Sequence, residues 1–500
     1  MKKLIYLTAI TGGLFLTTSC VDLTQEPESF ITEDEYFATI DQASLEKTSD
    51  ALYNDLWSDN YGFNSRLQRL NVCADDITYR AAKAGNELEY YGRLTPNITA
   101  NDADFTTTWK LFYKVISSSN KIINGSAIPT DETKAKAFKQ VLGEAYFMRG
   151  LSYFYLVRLY GDCPLILENE PTITMPRTSV TEIYDKAIIP SLKTAVEWLP
   201  NNGRNGNSTP SKWAAEACLA DVYMTMAGWP LNKGTEYYGL AATAAKDIID
   251  NSGLKLTKPY ADLWKEANKT QTNEVMFALQ HSNKLKTASN YGKSYYPVDF
   301  ALNAGWADYY GNEKFFLNYP NDARKEWNYM TEWDVKDGKN TKRINYKDSS
   351  DKLPAISKYY DYDDGDPGKS AQANGITCIY RYADVLLMYA EASTRATNSV
   401  STEALDAIQE VQKRAEYEDH QLALTTTTDP TEFIAAVSNE RGWEFFAEMK
   451  RWFELVRLEK VKDVRAEAWE GSTFKANNHY YFPIAQQQID LTGWTNNAGY

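Results

Sequence analysis

The chain has 500 residues, enough for one large core or for two to three domains. A net charge of −14 and a pI near 5.0 argue against nucleic acid and against docking on anionic membranes. Aromatic residues make up 13%, with 35 tyrosines, and flat rings in that number point toward a neutral ligand.

Lys2 and Lys3 precede an apolar run over 4–16, and Thr17, Thr18 and Ser19 lead into Cys20. This order of basic, apolar and small residues is a signal peptide, 1–19, too short to span a bilayer. The Cys that follows it reads as the lipidated first residue of the mature chain, although Leu16 lies one place further from it than is usual in such a motif. Residues 20–30 are polar and contain Pro27, which suits a tether between lipid and fold. No later stretch is long and apolar enough to cross a membrane. Of the other cysteines, Cys73, Cys163, Cys218 and Cys378, no spacing fits a zinc site. Cys218 lies in an apolar helical run, and no structural disulfide is expected.

Thr32 and Glu35 form a capping box, and Ala43, Leu45, Ala51, Leu52 and Leu56 give the first helix. Periodicity fades over 57–97, where Asp, Asn, Gly and Tyr dominate; long irregular segments of this kind are usually functional. Helix returns over 104–124, with Trp109, Phe112, Val115, Ile116 and Ile123 on its apolar side. The next helix starts near Asp131 and runs into GEAYFMRGLSYFYLVRLYGDCPL (143–165), which is apolar nearly all round and therefore central. Gly150 within it calls for close approach of a neighbouring element, and Gly161 with Pro164 stops it.

Ser179 and Glu182 cap a helix ending near Leu199, and 200–210 is loop. Helical pairs follow at 211–228 with 236–250 and at 382–397 with 401–415. Their alanine-rich contacts resemble tetratricopeptide repeats, but no fixed 34-residue period recurs. Between the pairs lies an irregular insert, 252–380, with a strand-like EVMFALQ at 274–280. Asp429 and Pro430 open a long helix predicted over 433–460.

Catalytic signatures are missing. The three histidines, His281, His420 and His479, form no i, i+4 pair, and no nucleophile elbow or phosphate-binding glycine loop occurs. Carboxylates are plentiful, so an all-helical glycoside hydrolase stays open as the enzyme alternative. DYDDGDPG (361–368) resembles a calcium loop, but Gly365 is misplaced and no Glu closes it; a solvated acidic loop is the reading, with no metal and no cofactor expected.

Sugar recognition needs flat apolar faces and polar groups side by side. YGKSYYPVDFALNAGWADYY (291–310) supplies Tyr291, Tyr295, Tyr296, Phe300, Trp306, Tyr309 and Tyr310 among Gly, Asn and Asp, without helical spacing and with little Leu, Ile or Val. It is the first candidate binding surface, with Trp306 as principal ring. Tyr79, Arg80, Tyr90 and Tyr91 form the second. Tyr359, Tyr360 and Tyr362 read as packing.

Several pieces, in order, resemble the SusD/RagB family of surface lipoproteins. They are the Cys20 region, the 109–120 helix, GEAYFMRG…YGDCPL, PRTSVTEIY (176–184), RYADVLLMYAEA (381–392), ERGWEFFAEMKRWFELVR and YYFPIAQQQID. Met449 departs from the usual Gly and Glu454 from the usual Asp. The resemblance implies a mostly α fold, with four tetratricopeptide-like helix pairs supporting an irregular ligand-binding half with a few short strands. It implies one domain over 31–500, with ligand-binding insertions at about 57–97 and 252–380. It further implies a non-catalytic protein at the outer-membrane cell surface, attached only by its lipid. Such a protein captures oligo- or polysaccharide for a SusC-like TonB-dependent transporter, and some relatives take peptide or another nutrient instead. A protein-interaction scaffold is the second non-enzymatic reading, and helices facing the transporter would be compatible with ligand held on the other half.

Overall fold

The structure is a computed structural model that describes residues 31–56, 69, 72–80, 87–169, 175–282, 284, 285, 287, 289–360, 374–417 and 421–500. Cys20, the tether, most of 57–71, the acidic 361–368 loop, Tyr362 and His420 lie outside the described residues.

The expected first helix is two. Helix α1 (Glu33–Thr39) starts at the Thr32 capping box, whose reciprocal bonds measure 3.0 and 3.3 Å. Ile40 is extended, and Asp41 then caps α2 (Gln42–Asp55) by accepting from the Ser44 N–H at 2.8 Å. The larger helices follow as α3 (Ala103–Gly125), α4 (Glu132–Tyr160), α5 (Ile189–Trp198), α6 (Lys212–Ala227), α7 (Thr235–Asn251), α8 (Tyr382–Thr397), α9 (Thr402–Ala415), α10 (Pro430–Glu444) and α11 (Arg451–Arg457). Each packs largely on its sequence neighbours: α2 on α3 and α4, α4 on α5, α5 on α6, α6 on α7, α7 on α8, and α8 on α9 and α10.

Helix α4 is central, as its sequence requires. Asp131 caps it, and Phe147, Met148, Leu151, Phe154, Leu156 and Val157 are all buried. A methyl group on Gly150 would lie 2.9 Å from the Leu192 Cγ of α5, so the glycine lets the two helices close on each other. Cys73, Cys163, Cys218 and Cys378 are buried free thiols, and burial raises the pKa of each.

The strands are short and paired in twos. They are β1 (Ile77–Tyr79), β2 (Val275–Gln280), β3 (Tyr309–Gly311), β4 (Tyr329–Met330), β5 (Glu332–Asp337), β6 (Asn340–Asn345), β7 (Ala355–Ile356) and β8 (Ile376–Arg381). Antiparallel pairs form between β1 and β3, β2 and β8, β4 and β7, and β5 and β6.

The long helix expected over 433–460 breaks between α10 and α11, where Ala447 and Met449 take left-handed backbone (φ +59° and +63°). That conformation costs a non-glycine residue about 1–2 kcal/mol, a physical reason for the glycine that the resemblance leads one to expect in place of Met449. Side chains replace the helical bonds. The Lys358 ammonium donates to the Phe446 carbonyl (2.8 Å), the Tyr359 hydroxyl to the Ala447 carbonyl (2.9 Å), and the Ala447 N–H to Asp76 (3.2 Å).

Beneath the break lies a cluster of buried charges. Arg381 donates to Glu274 (2.9 Å), Glu444 (2.5 Å) and Glu448 (2.8 and 3.1 Å). Arg324 binds Asp322, Glu440 and Glu444; Arg414 binds Glu274 and Glu444; Lys358 binds Glu448. This cluster ties α8, α9 and α10 to the start of β2 and to the short helix 323–328 that Asp322 caps.

Candidate functional site

The chain brings the two candidate aromatic stretches together. Strands β1 and β3 pair with Tyr79 opposite Tyr309 and Thr78 opposite Tyr310. The Arg80 N–H extends the pairing by donating to the Asp308 carbonyl at 3.2 Å. Asp351 then ties both strands from the side, accepting from Arg80 Nε at 3.0 and 3.1 Å and from the Tyr310 hydroxyl at 2.9 Å. The Tyr79 hydroxyl accepts from Arg93 Nε at 3.0 Å.

Trp306 sits on the loop entering β3 and is 42% exposed, with Leu302 of the same loop at 55%. The loop is held along its length. Trp333 Nε1 donates to Asp299 (2.9 Å), Phe300 bridges to Val335, and the Ala301 N–H reaches the Asp334 carbonyl (2.7 Å). The Gly305 N–H donates to the Pro297 carbonyl (3.0 Å), and the Trp306 N–H to that of Lys293 (2.6 Å). A Cβ on Gly305 would collide with the Tyr296 carbonyl, so this crossing of the chain needs glycine. The indole is thus presented on a loop fixed before any ligand arrives, and little ordering cost is left for binding.

Most of the other expected binding rings are elsewhere. Tyr295, Tyr296, Phe300, Tyr309 and Tyr310 are buried, between 1% and 8% exposed, and belong to the core. Tyr295 stacks on Tyr359 with centroids 6.1 Å apart, and Tyr296 meets Tyr360 edge-on at 5.0 Å. Tyr359 and Tyr360 are packing residues, as expected. Tyr91 is also buried, its hydroxyl directed to Asp102 and Asp104, whereas Tyr90, Tyr79 and Arg80 are half-buried. The Tyr291 side chain lies outside the described residues. A core of tyrosines serves here because short strands and turns leave wide gaps, which planar rings fill while their hydroxyls reach polar partners.

The sequence reading missed Asp351 and Trp333. Each lies far from the aromatic run in sequence, and only strand pairing brings it in. Among the described residues no group of three His, Cys, Asp or Glu side chains could hold a metal ion. Burial drives the His281 pKa down to about 3, with the Lys269 ammonium adding to the effect; its Nε2 lies 2.8 Å from the Thr377 hydroxyl. No described helix is long and apolar enough to cross a membrane. The exposed Trp306 indole offers a flat apolar face that suits a ligand with C–H faces, while the half-buried Arg80 guanidinium is held by Asp351.

A mostly helical body with short two-stranded ribbons defines a known class. Residues 39–224 match the family model described as "Starch-binding associating with outer membrane", and residues 257–500 match that of the SusD family. The chain belongs to the SusD/RagB family. A SusD-like protein of Bacteroides ovatus is 29% identical over 91% of this chain and 82% of its own length. SusD-like protein P2 of Formosa agariphila is 27% identical over the whole of both chains. Among solved structures, a SusD homolog from Bacteroides thetaiotaomicron superposes with a TM-score of 0.79 at 19% identity, covering 93% of this chain and 98% of its own. Another, crystallised with xylogluco-oligosaccharide, superposes at 0.71 and 22% identity, covering 90% and 97%.

Proposed function

We propose that this chain is a cell-surface lipoprotein of the outer membrane. It captures oligo- or polysaccharide and delivers it to a SusC-like TonB-dependent transporter. The observation that carries the reading is Trp306, a large ring left in solvent on a loop otherwise tied down at every turn. Tyr79, Tyr90 and Arg80 on the adjoining segment complete the surface. The neighbour crystallised with xylogluco-oligosaccharide supports a glycan as ligand, and the description of the family model matching 39–224 supports the outer membrane. In this reading residues 1–19 are removed, Cys20 carries the lipid, 20–30 form the tether, and 31–500 act as one domain that binds and does not catalyse.

Calorimetric titration against a panel of neutral polysaccharides, with xylogluco-oligosaccharide included, tests the reading. Trp306→Ala is expected to weaken binding by about 1–4 kcal/mol, the range of an aromatic hot spot, with the melting temperature near that of wild type. Unchanged affinity in this variant would remove Trp306 from the site.

A further inference from the structure

We propose a small-anion site where α4, α6, α8, α10 and α11 meet, with the Arg441 guanidinium as its principal donor and a halide or a formate-sized carboxylate as its occupant. It shares no residue with the Trp306 surface and goes beyond the proposed function, on which it does not depend.

The cavity encloses about 40 Å³, and Arg158, Asp221, Arg441, Met449, Lys450 and Glu454 stand in its wall. Asp221 marks its mouth: with a side chain 26% exposed, it is the most accessible of these charged groups. Met449 and Glu454 are the two departures from the SusD/RagB pattern, and both face this one space. Arg441 is only 8% exposed, yet its Nε and Nη1 have no hydrogen-bond partner among the described residues. Glu454 lies 3.6 Å from Nε, near enough to share charge but too far to accept a hydrogen bond. Donors so buried are ordinarily met, and leaving them unmet is costly.

The acceptors around the cavity are engaged elsewhere. Asp384 takes the Lys450 ammonium through both oxygens at 2.6 Å, Asp221 accepts from the Tyr380 hydroxyl at 2.9 Å, and Glu454 from the Ser438 hydroxyl at 3.0 Å. What the cavity lacks is an acceptor, and the charge balance favours an anionic one. Lys450 and Arg158 each face a carboxylate, Asp384 and Asp221. Glu391, by contrast, serves both Arg457 and Arg395, while Glu454 is shared between Arg441 and Arg451, whose other partner is Asp75. These ion pairs hold one cation more than they hold carboxylates, and excess charge in a buried setting draws a counter-ion. Size selects among anions. A water-sized sphere needs roughly 10–15 Å³, so the cavity takes about three heavy atoms. A halide or formate fits, and the larger sulfate does not.

The test is chloride NMR on the mature chain, where exchange with a protein site broadens the line of free chloride. Bromide and formate, added as competitors at constant ionic strength, are expected to remove most of the excess width, and sulfate to remove little. Arg441→Met is expected to lose most of that width, whereas Arg343→Met, at an exposed arginine, keeps it. Should Arg441→Met melt early, crystals of the wild type grown in sodium bromide decide, with anomalous scattering expected to place a bromide in contact with Arg441 Nη1. The proposal is overturned if a folded Arg441→Met keeps the wild-type width, if sulfate competes as well as bromide, or if the bromide crystals show no ion at Arg441.

Discussion

Arg381→Met tests whether the buried charge cluster holds the helical and irregular halves together. Arg381 is fully buried and donates to three carboxylates and to the Glu444 carbonyl. Met keeps much of the side-chain length but none of the charge. After the change, Glu274 retains Arg414 (3.1 Å), Glu444 retains Arg324 (2.8 Å) and Glu448 retains Lys358 (2.7 Å), but Arg324, Arg414 and Lys358 alone then face the carboxylates of Asp322, Glu274, Glu440, Glu444 and Glu448, so buried negative charge is left uncompensated. The loss should accordingly reach the usual range for breaking a buried pair, about 3–5 kcal/mol. Against a typical stability of about 5–15 kcal/mol, such a variant folds but with a much smaller margin. Arg343→Met is the control: that side chain is 60% exposed, pairs with Glu332 and Asp334 at 3.8 and 3.7 Å, and should change stability by less than about 0.5 kcal/mol. Urea unfolding followed by far-UV circular dichroism, with m-values compared, gives both numbers. If Arg381→Met loses no more than Arg343→Met, the cluster is not what joins these elements.

His281 gives a pH signature. Because burial holds its folded pKa near 3, below the ordinary 6.5, the stability it contributes is complete above pH 6.5 and declines as the pH falls toward 3. Below about pH 5.5 and above about pH 4 the wild type should lose stability at a slope approaching about 1.4 kcal/mol per pH unit relative to His281→Gln, measured by urea unfolding; parallel pH profiles would remove His281 as the cause. Cys20→Ala should release the protein from the membrane fraction, since the acyl chains and their burial of about 0.8 kcal/mol per CH₂ are gone, and continued membrane association would exclude Cys20 as the anchor.

Helix positions were legible because caps and apolar periodicity are local. The Thr32 box, Asp131, Ser179 and Asp429 all cap where the sequence places helix starts. The split at Ile40 was not legible, because one extended residue between two helices leaves no mark on apolar periodicity. Glu440, Glu444 and Glu448 recur every four residues, a spacing that ordinarily marks a solvated helix face. Here they are buried because Arg324, Arg381 and Arg414 arrive from other segments, and no local pattern reports that. The same blindness affected the aromatic stretch. Residue types within 291–310 gave its chemistry, but whether a given ring faces solvent depends on β1, Asp351 and the β5–β6 hairpin. Trp306, the ring chosen as principal, is the one from that stretch found substantially exposed among those described.

The β1–β3 ribbon joins residues about 230 positions apart, and the candidate ligand surface is built across that seam. Neither contributing segment owns the site. Closing so long a loop is a slow, entropically costly event, so the surface comes into being only once distant parts of the chain have met. A fragment that ends before β3 would keep all of α1 to α7 yet lack one of the two strands that build the candidate surface. Conversely, a glycan that touched both sides would act as a clasp. Its binding energy opposes separation of the two segments, so occupancy should protect the chain from proteolysis at cuts far from the sugar itself.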